Sequence, residues 1–294
     1  MGHAGWMQIG VVFPQTELGG DVGAVRAYGQ AVADLGYAHV LAYDHVLGAD
    51  PAVHQGWFGP YDVTTTFHEP FVLFGYLAAL IDLELVTGVI ILPQRQTALV
   101  AKQAAEVDLL TGGRFRLGVG VGWNPVEYEA LGQRFDRRGR RLDEQVGLLR
   151  SLWTNGTVSF EGDFDRVTGA GLSPMPIQQP IPIWFGGQSA PAYRRIGRLA
   201  DGWFPQVRPG PDLDAALEVI AESAAAAGRA ADAIGMEGRA AWSPDDPDRF
   251  SRQVERWRTA GATHLSVDTM RSGLATVDDH IEALAQAAEL SGLR

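Results

Sequence analysis

Short apolar segments alternate with helical segments along the whole chain. Residues 7–13 are largely apolar, and residues 21–35 carry apolar side chains at helical spacing until Gly36 ends the pattern. Residues 85–92 are rich in valine, isoleucine and leucine, which is typical of a parallel strand buried on both faces. The full pattern predicts eight strands, at 7–13, 38–43, 85–92, from 114 onward, and at 183–185, 201–204, 238–242 and 264–267.

Eight strands that each precede a helix predict an α/β fold, the (β/α)8 TIM barrel, whose active site lies at the C-terminal ends of the strands. We expect one domain, residues 1–294, with an insertion at about residues 154–180, before the fifth strand. Within the insertion, residues 157–171 have the polar turns of a hairpin, and a proline-rich connector follows at 173–182.

Charge and composition limit the partners. The 294 residues have a net charge of -11, so nucleic acid and anionic membranes would be repelled. An anionic small molecule would have to be held by backbone N–H groups or by a few arginines. The sequence therefore predicts a small-molecule substrate, no nucleic-acid partner and no membrane partner.

The chain contains no cysteine, which excludes disulfides, thiolate metal sites and a thiol nucleophile. This composition is typical of a reducing interior, and we expect a cytoplasmic protein. The histidines lack the spacing of metal ligands, so no metal site is predicted. His39 and His264 fall within strands, where core or rim positions are expected.

Three alternating glycines, Gly118, Gly120 and Gly122, precede Asn124 and Pro125. The dinucleotide fingerprint requires a third glycine at a fixed spacing, and that spacing fails in both registers. Two interpretations stay open. The glycines either bring bare backbone up to a flat ligand or let the strand pack closely on its neighbours.

A second glycine segment, Gly186-Gly187-Gln188-Ser189, follows the predicted fifth strand and precedes a helix. Free N–H groups at a helix N-terminus bind phosphate without a basic side chain. The alternative is a tight turn in which Ser189 only caps the helix.

Asp44 and His45 stand at the C-terminal end of the second strand, where this fold places chemistry. Consecutive strand residues point to opposite faces, so the two side chains should act separately. His45 could protonate a ligand near neutral pH, or it could be a strand-end residue satisfied by a neighbouring loop. The long aromatic loop at 48–68 is predicted to cover the site.

Ser189 and an arginine cluster are the remaining candidates for chemistry. A Ser-His-Asp hydrolase would need a Gly-x-Ser-x-Gly elbow, and the segment around Ser189 does not supply one. The arginines between Arg134 and Arg141 are interpreted as a solvated helix face, or as a source of one contact to an acidic ligand tail.

Several motifs occur in order between residues 7 and 207. They are Phe13-Pro14, Tyr43-Asp44-His45, Thr-Gly-Val-Ile-Ile-Leu-Pro at 87–93, Gly-Val-Gly-Val-Gly-Trp-Asn at 118–124, Ile-Trp-Phe-Gly-Gly-Gln-Ser at 183–189, and Ala-Asp-Gly-Trp-Phe at 200–204. Together they resemble the bacterial luciferase-like flavin monooxygenase superfamily, and most closely its coenzyme F420-dependent branch.

The resemblance implies a flavin or deazaflavin ring at the mouth of the barrel. It implies a bulge in the third strand with a non-prolyl cis peptide between Val89 and Ile90, behind the ring. By the same resemblance, Asp44 and His45 would contact the ring, and Asn124 would contact the ribityl chain or the ring edge. The backbone of Gly186, Gly187, Gln188 and Ser189 would hold the cofactor phosphate.

The resemblance also implies an oxidoreductase that transfers a hydride between coenzyme F420 and a small organic substrate. His45 would be the proton donor or ring-polarising group, with Asp44 beside it. With FMN as cofactor, the protein would instead be a two-component monooxygenase served by a flavin reductase. A non-catalytic cofactor-binding barrel and a flavin-free barrel acting on a phosphorylated metabolite are further alternatives. A homodimer is expected from the resemblance.

Overall fold

Eight parallel strand positions close into a barrel in the computed structural model, which describes residues 7–293. The strands are β1 (Gln8–Val12), β2 (His39–Ala42), β3 (Glu84–Thr87), β4 (Ile90–Ile91), β5 (Phe115–Gly120), β6 (Val158–Glu161), β7 (Arg166–Ala170), β8 (Ile183–Gly187), β9 (Gly202–Pro205), β10 (Gly235–Ala241) and β11 (His264–Asp268). β3 and β4 share the third position, and β11 pairs with β1 to close the barrel. The predicted (β/α)8 fold is confirmed.

Helices follow the strands and cover the outside of the barrel. They are α1 (Val22–Asp34), α2 (Pro70–Ala78), α3 (Thr97–Leu110), α4 (Pro125–Ala130), α5 (Arg138–Thr154), α6 (Ala190–Leu199), α7 (Pro211–Ala226), α8 (Pro247–Thr259) and α9 (Val277–Ser291). Within residues 7–293, no helix combines the length and apolar character that a membrane crossing requires.

The predicted insertion contains the antiparallel hairpin β6–β7, which stands apart from the barrel sheet. It precedes β8, the fifth barrel strand, as expected. Residues 1–6 and 294 of the predicted domain lie outside the described residues.

The third strand, predicted at 85–92, is interrupted by a bulge, as the family resemblance implied. β3 pairs with β5 up to Val86, and β4 resumes the pairing at Ile90 with one extra residue on the third strand, which is a β-bulge. The cis peptide joins Gly88 to Val89, one residue before the predicted bond. Gly88 has no space for a side chain, because a Cβ there would lie 2.3 Å from Leu41 Cδ2.

The three glycines near the end of β5 make room for this bulge. A Cβ at Gly118 would lie 1.8 Å from the carbonyl oxygen of Thr87, and one at Gly120 would lie 2.7 Å from Val89 Cγ2. Gly122 stands in the same relation to Ile91, at 2.7 Å. The strand-packing interpretation is therefore confirmed for these glycines, although Gly120 and Gly122 also border the cavity described below.

A layer of polar side chains fills the lower interior of the barrel. Glu237 on β10 is at its centre: one carboxylate oxygen lies 3.0 Å from His39 Nε2, and the other accepts from Arg116 Nη1 at 2.9 Å. Ser266 also donates to Glu237, and Arg116 Nε pairs with Glu84 at 2.8 Å. The expected core position of His39 is confirmed, because its side chain is fully buried.

Apolar side chains form the next layer above. They are Val12, Leu41, Val86, Trp184 and Phe204. The Arg116 guanidinium lies 4.4 Å from the centroid of the Trp184 ring, which joins the two layers by a cation–π contact. The polar and apolar layers together fill the barrel interior beneath its mouth.

His264, at the edge of the polar layer, should make stability depend on pH. Burial, with Arg116 nearby, lowers its pKa from the ordinary 6.5 to about 3. Below pH 6.5, His264 therefore binds a proton in the unfolded chain but stays neutral in the folded chain, so the free energy of unfolding should fall as the pH decreases from 6.5 toward 3.

Urea unfolding between pH 7 and pH 4 should give a smaller decrease in the free energy of unfolding for His264→Gln than for the wild type. Part of the slope should remain because burial also lowers the pKa of His280. Equal slopes in the two proteins would contradict the assignment.

Candidate active site at the barrel mouth

An open cavity of about 390 Å³ lies at the C-terminal ends of the strands. Six of the predicted site residues line it: Asp44, His45, Val89, Gly186, Gly187 and Gln188. Three others do not. Ile90 is fully buried in the core, Asn124 borders a neighbouring cavity of about 250 Å³, and Ser189, the last residue of the glycine segment, is exposed at the start of α6.

His45 is held in an aromatic setting. Its ring centroid lies 4.7 Å from that of Phe67, 5.0 Å from Tyr61 and 5.6 Å from Trp123. Its Nδ1 is 3.5 Å from a carboxylate oxygen of Glu127 on α4. The side chain is only 12% exposed, so the aromatic rings leave it a restricted face toward the cavity.

Glu127 is a site residue that the sequence analysis missed. It accepts hydrogen bonds from the amides of Val46 and Leu47 and, at 3.2 Å, from Gln94 Nε2. Burial by itself raises the pKa of Glu127, but the contacts with His45 and the Val46 amide outweigh it and leave the pKa below the usual range. Glu127 is thus a buried carboxylate that fixes both the imidazole and the chain after β2. Its position in the first turn of α4, after Asn124-Pro125, was the available signal.

Asp44 points the other way, which confirms that Asp44 and His45 do not form a dyad. Its carboxylate accepts from the Ile91 amide at 3.2 Å and from Arg95 Nη2 at 2.8 Å. Burial raises the pKa of Asp44, and the Arg95 guanidinium opposes that shift. The side chain ties β2 to the third strand immediately after the bulge.

Asn124 caps α4. Its Oδ1 accepts from the amides of Val126 at 3.0 Å and Glu127 at 3.3 Å, and its Nδ2 donates to the Leu47 carbonyl at 3.4 Å. The side chain therefore positions Glu127, and its expected contact with the ribityl chain or ring edge stays a prediction.

Val89 forms the back of the cavity. Its side chain stands between two glycines, and Cβ atoms added at Gly120 and Gly186 would lie 2.7 and 3.2 Å from its methyl groups. Bare main chain on both sides thus lets the Val89 side chain rest against the cavity wall.

The second glycine segment differs from its prediction in two ways. β8 continues through Gly187, two residues beyond the predicted end, because Gly186 and Gly187 still pair with β9. Ser189 occupies the N-cap position of α6, but its side chain makes no capping hydrogen bond, so the capping interpretation is wrong. Among the described residues, none accepts a hydrogen bond from the amides of Gln188 or Ser189. Two donors are therefore available at the start of α6.

Arg239 on β10 forms the opposite wall, together with Tyr43 and Gln206. The guanidinium donates to the Tyr43 hydroxyl, which in turn donates to Asp268 at 3.4 Å. Burial raises the pKa of Tyr43 well above its ordinary value, so the phenol stays protonated. Arg239 was not predicted from the sequence, and the available signal was one of two charges, with Glu237, among the small residues of the seventh barrel strand.

The aromatic loop lies beside this site. Its two ends meet where Val63 donates to the Ala49 carbonyl at 3.0 Å, and Trp57 Nε1 donates to the Tyr61 carbonyl at 2.9 Å. Phe58 at the loop tip is 89% exposed. The loop is therefore closed on itself at its base and presents an apolar tip to solvent.

Within the part of the chain that the structure describes, no group of three or more metal-ligating side chains is close enough to hold an ion. The arginines at 134–141 mostly contact protein groups: Arg134 pairs with Asp136, Arg140 pairs with Asp163, and Arg141 donates to the Arg95 carbonyl.

Residues 4–289 match the model of the luciferase-like monooxygenase family, and the chain belongs to that family. The family resemblance inferred from the motifs is confirmed, including for the residues beyond 207.

Individual relatives match part of the chain. An uncharacterised protein of Mycobacterium tuberculosis (strain ATCC 25618 / H37Rv) is 41% identical over 156 residues, which are 53% of this chain and 52% of that protein. An FMNH2-dependent dimethylsulfone monooxygenase of Pseudomonas putida is 38% identical over 137 residues, 45% of this chain and 38% of that protein. The matches thus span about half or less of these curated relatives.

Among solved structures, an F420-dependent secondary alcohol dehydrogenase in complex with an F420-acetone adduct superposes with a TM-score of 0.78. The match covers 97% of this chain and 99% of that one at 16% identity, so it shows a common fold.

Proposed function

We propose that this protein is an F420-dependent oxidoreductase, which transfers a hydride between coenzyme F420 and a small organic substrate at the barrel mouth. One observation carries the proposal: a single cavity is lined both by Gln188, whose amide is unpaired like that of the adjacent Ser189, and by a histidine backed by a buried carboxylate. This arrangement suits a flat redox ring with a phosphate at one end.

The residues fit such a cofactor. The available amides of Gln188 and Ser189, at the start of the ten-residue helix α6, offer a phosphate site that needs no cationic side chain. Val89 on the bulge provides an apolar face at the back, and His45 would lie near the ring. Asp44 would act through the third strand, because Arg95 already pairs with its carboxylate.

When bound, F420 would supply the hydride-transfer chemistry, and the protein would supply alignment, a proton and exclusion of water. His45 can exchange a proton at the ring nitrogen that does not face Glu127. The Glu127 carboxylate, 3.5 Å from Nδ1, fixes the orientation of the imidazole ring. Tyr61, Phe67 and Trp123 shield the other faces of His45 from bulk water.

An FMN-dependent two-component monooxygenase is the second candidate, and the FMNH2-dependent relative of Pseudomonas putida supports it. The same residues would hold the phosphate and ring of FMN, and a flavin reductase would be the expected partner. A homodimer stays a prediction from the family resemblance.

A fluorescence titration of the purified protein with F420 and with FMN would test the proposal. We expect F420 to bind at least about tenfold more tightly than FMN, a difference of about 1.4 kcal/mol. The reverse order would favour the monooxygenase. Binding of neither cofactor would contradict both and favour a barrel acting on a phosphorylated metabolite.

Variants separate binding from chemistry in the same assay. Ser189→Pro removes one amide donor and should weaken cofactor binding about tenfold or more, since a hydrogen bond to a charged group contributes about 1.5–3 kcal/mol. Ser189→Ala keeps the amide and is the matched control.

His45→Ala should keep cofactor affinity but lower turnover about 100-fold, measured with the best substrate from a panel of alcohols, ketones and unsaturated acids. Retained turnover would remove His45 from the chemistry, and cofactor binding without turnover of any substrate would favour a non-catalytic barrel.

A further inference from the structure

Arg239 differs from the other charged side chains of the mouth cavity because no carboxylate within residues 7–293 contacts it directly. Asp44 pairs with Arg95 at 2.8 Å, and His45 faces Glu127 at 3.5 Å. After Asp44 and His45, Arg239 is the remaining Asp, Glu, His, Lys or Arg side chain of the lining. No carboxylate among the described residues lies within 4.0 Å of its guanidinium. The Arg239 guanidinium therefore has no direct ion-pair partner among the described residues, and Asp268 attracts it only from beyond the Tyr43 hydroxyl.

Neutral neighbours hold this guanidinium in place. One amino group donates to the Tyr43 hydroxyl, and the other lies 3.4 Å from Gln206 Oε1. Asp268 is reached only through the Tyr43 hydroxyl, and burial raises the pKa of both Tyr43 and Asp268. Arg239 remains accessible to solvent from the cavity, so its remaining N–H donors can meet a ligand.

We propose that Arg239 binds a carboxylate of the substrate, so that the substrate class is small organic acids with an apolar body. A guanidinium fixed by hydrogen bonds on one side presents a planar pair of donors, which matches a carboxylate in a bidentate contact. Phe204 and Val89, which also line the cavity, offer apolar surface for the rest of such a molecule. This inference rests on the proposed function, because it names the substrate class of that same site.

Matched probes that differ only in charge would test the assignment. Isothermal titration of the full-length protein, alone and with its cofactor bound, should compare benzoate with benzamide and butyrate with butyramide. We expect each acid to bind at least about tenfold more tightly than its amide, the effect of one charge-assisted contact. Arg239→Met should abolish this preference and Arg239→Lys should keep part of it.

Arg194→Met is the matched control. Arg194 is an exposed arginine of α6 that lines a separate surface groove, so this variant should preserve the preference. Circular dichroism of each variant should confirm that the barrel is folded. If Arg239→Met does not fold, Arg239→Lys provides a second variant for the same comparison.

The contrary outcomes are distinct. Equal binding of acid and amide, or no detectable binding of either acid, would overturn the assignment. Loss of F420 or FMN affinity in Arg239→Met, with the acid preference intact, would show that Arg239 serves an anionic group of the cofactor instead. If the wild type binds neither cofactor, the proposed function fails, but the comparison of acid and amide on the protein alone still decides the role of Arg239.

Discussion

Replacing Glu237 by alanine should lower the free energy of unfolding by about 3–5 kcal/mol, because it leaves a buried charge without its partner. Arg116 is 4% exposed and would keep only Glu84 as a carboxylate partner, while His39 would lose the oxygen 3.0 Å from its Nε2. Urea unfolding at pH 7 is the measurement. Glu161→Ala is the control: its ion pair with Arg166 is exposed and 3.9 Å long, so the change should be below about 1 kcal/mol.

The effect of Glu237 should also depend on pH. Burial raises the pKa of this carboxyl, but His39 and Arg116 outweigh it and hold the pKa far below the ordinary 4.5. A lowered carboxyl pKa contributes stability that is present above the unfolded value and lost as the pH falls toward the folded value. The difference between wild type and Glu237→Ala should therefore shrink below about pH 4.5. A difference that stays constant down to pH 3 would contradict this explanation.

Gly118→Ala should be the second severe change, with a loss of about 3 kcal/mol or more from overpacking. The added Cβ would lie 1.8 Å from the Thr87 carbonyl oxygen and 2.9 Å from the Phe204 ring. The strands cannot separate cheaply, because the Thr87 hydroxyl accepts from the Gly118 amide and donates to the Gly118 carbonyl, each at 2.8 Å.

The matched control for Gly118→Ala lies in α5. Gly147 has open space around its Cβ position, so Gly147→Ala should stabilise the protein by about 0.5–1 kcal/mol through helix propensity. Thermal unfolding of both variants compares the two sites directly. Similar melting temperatures for Gly118→Ala and the wild type would show that the bulge does not require bare backbone at this position.

The barrel could be predicted from the sequence because each strand buries a short apolar run and each helix carries its own periodicity. The fine geometry of the third strand could not. The family resemblance located the irregularity to within one residue, but it did not reveal that Leu41, on the neighbouring strand β2, leaves no space for a side chain at Gly88. That contact joins residues far apart in the chain, and no local pattern reports it.

The site was predictable where a strand end identifies it. Asp44 and His45 follow β2 directly, and both line the cavity as expected. Their partners were not predictable, because Glu127 and Arg95 reach them from other elements. Arg239 could not be predicted because a shift of one residue in strand register decides whether its side chain faces the barrel interior or the surrounding helices. The small residues beside it on the strand do not specify that register.

The base of the aromatic loop has a consequence for engineering. Residues 49 and 63 are joined by a backbone hydrogen bond, and the Glu127 carboxylate accepts hydrogen bonds from the two amides just before them. The loop is thus fixed at its base, and the segment between these positions can be exchanged without changing that base. Loops of different length grafted between these two positions should change which molecules enter while leaving the strands beneath intact. Libraries designed to change access to the mouth would therefore vary residues 50–60 and keep Tyr61, whose ring contacts that of His45.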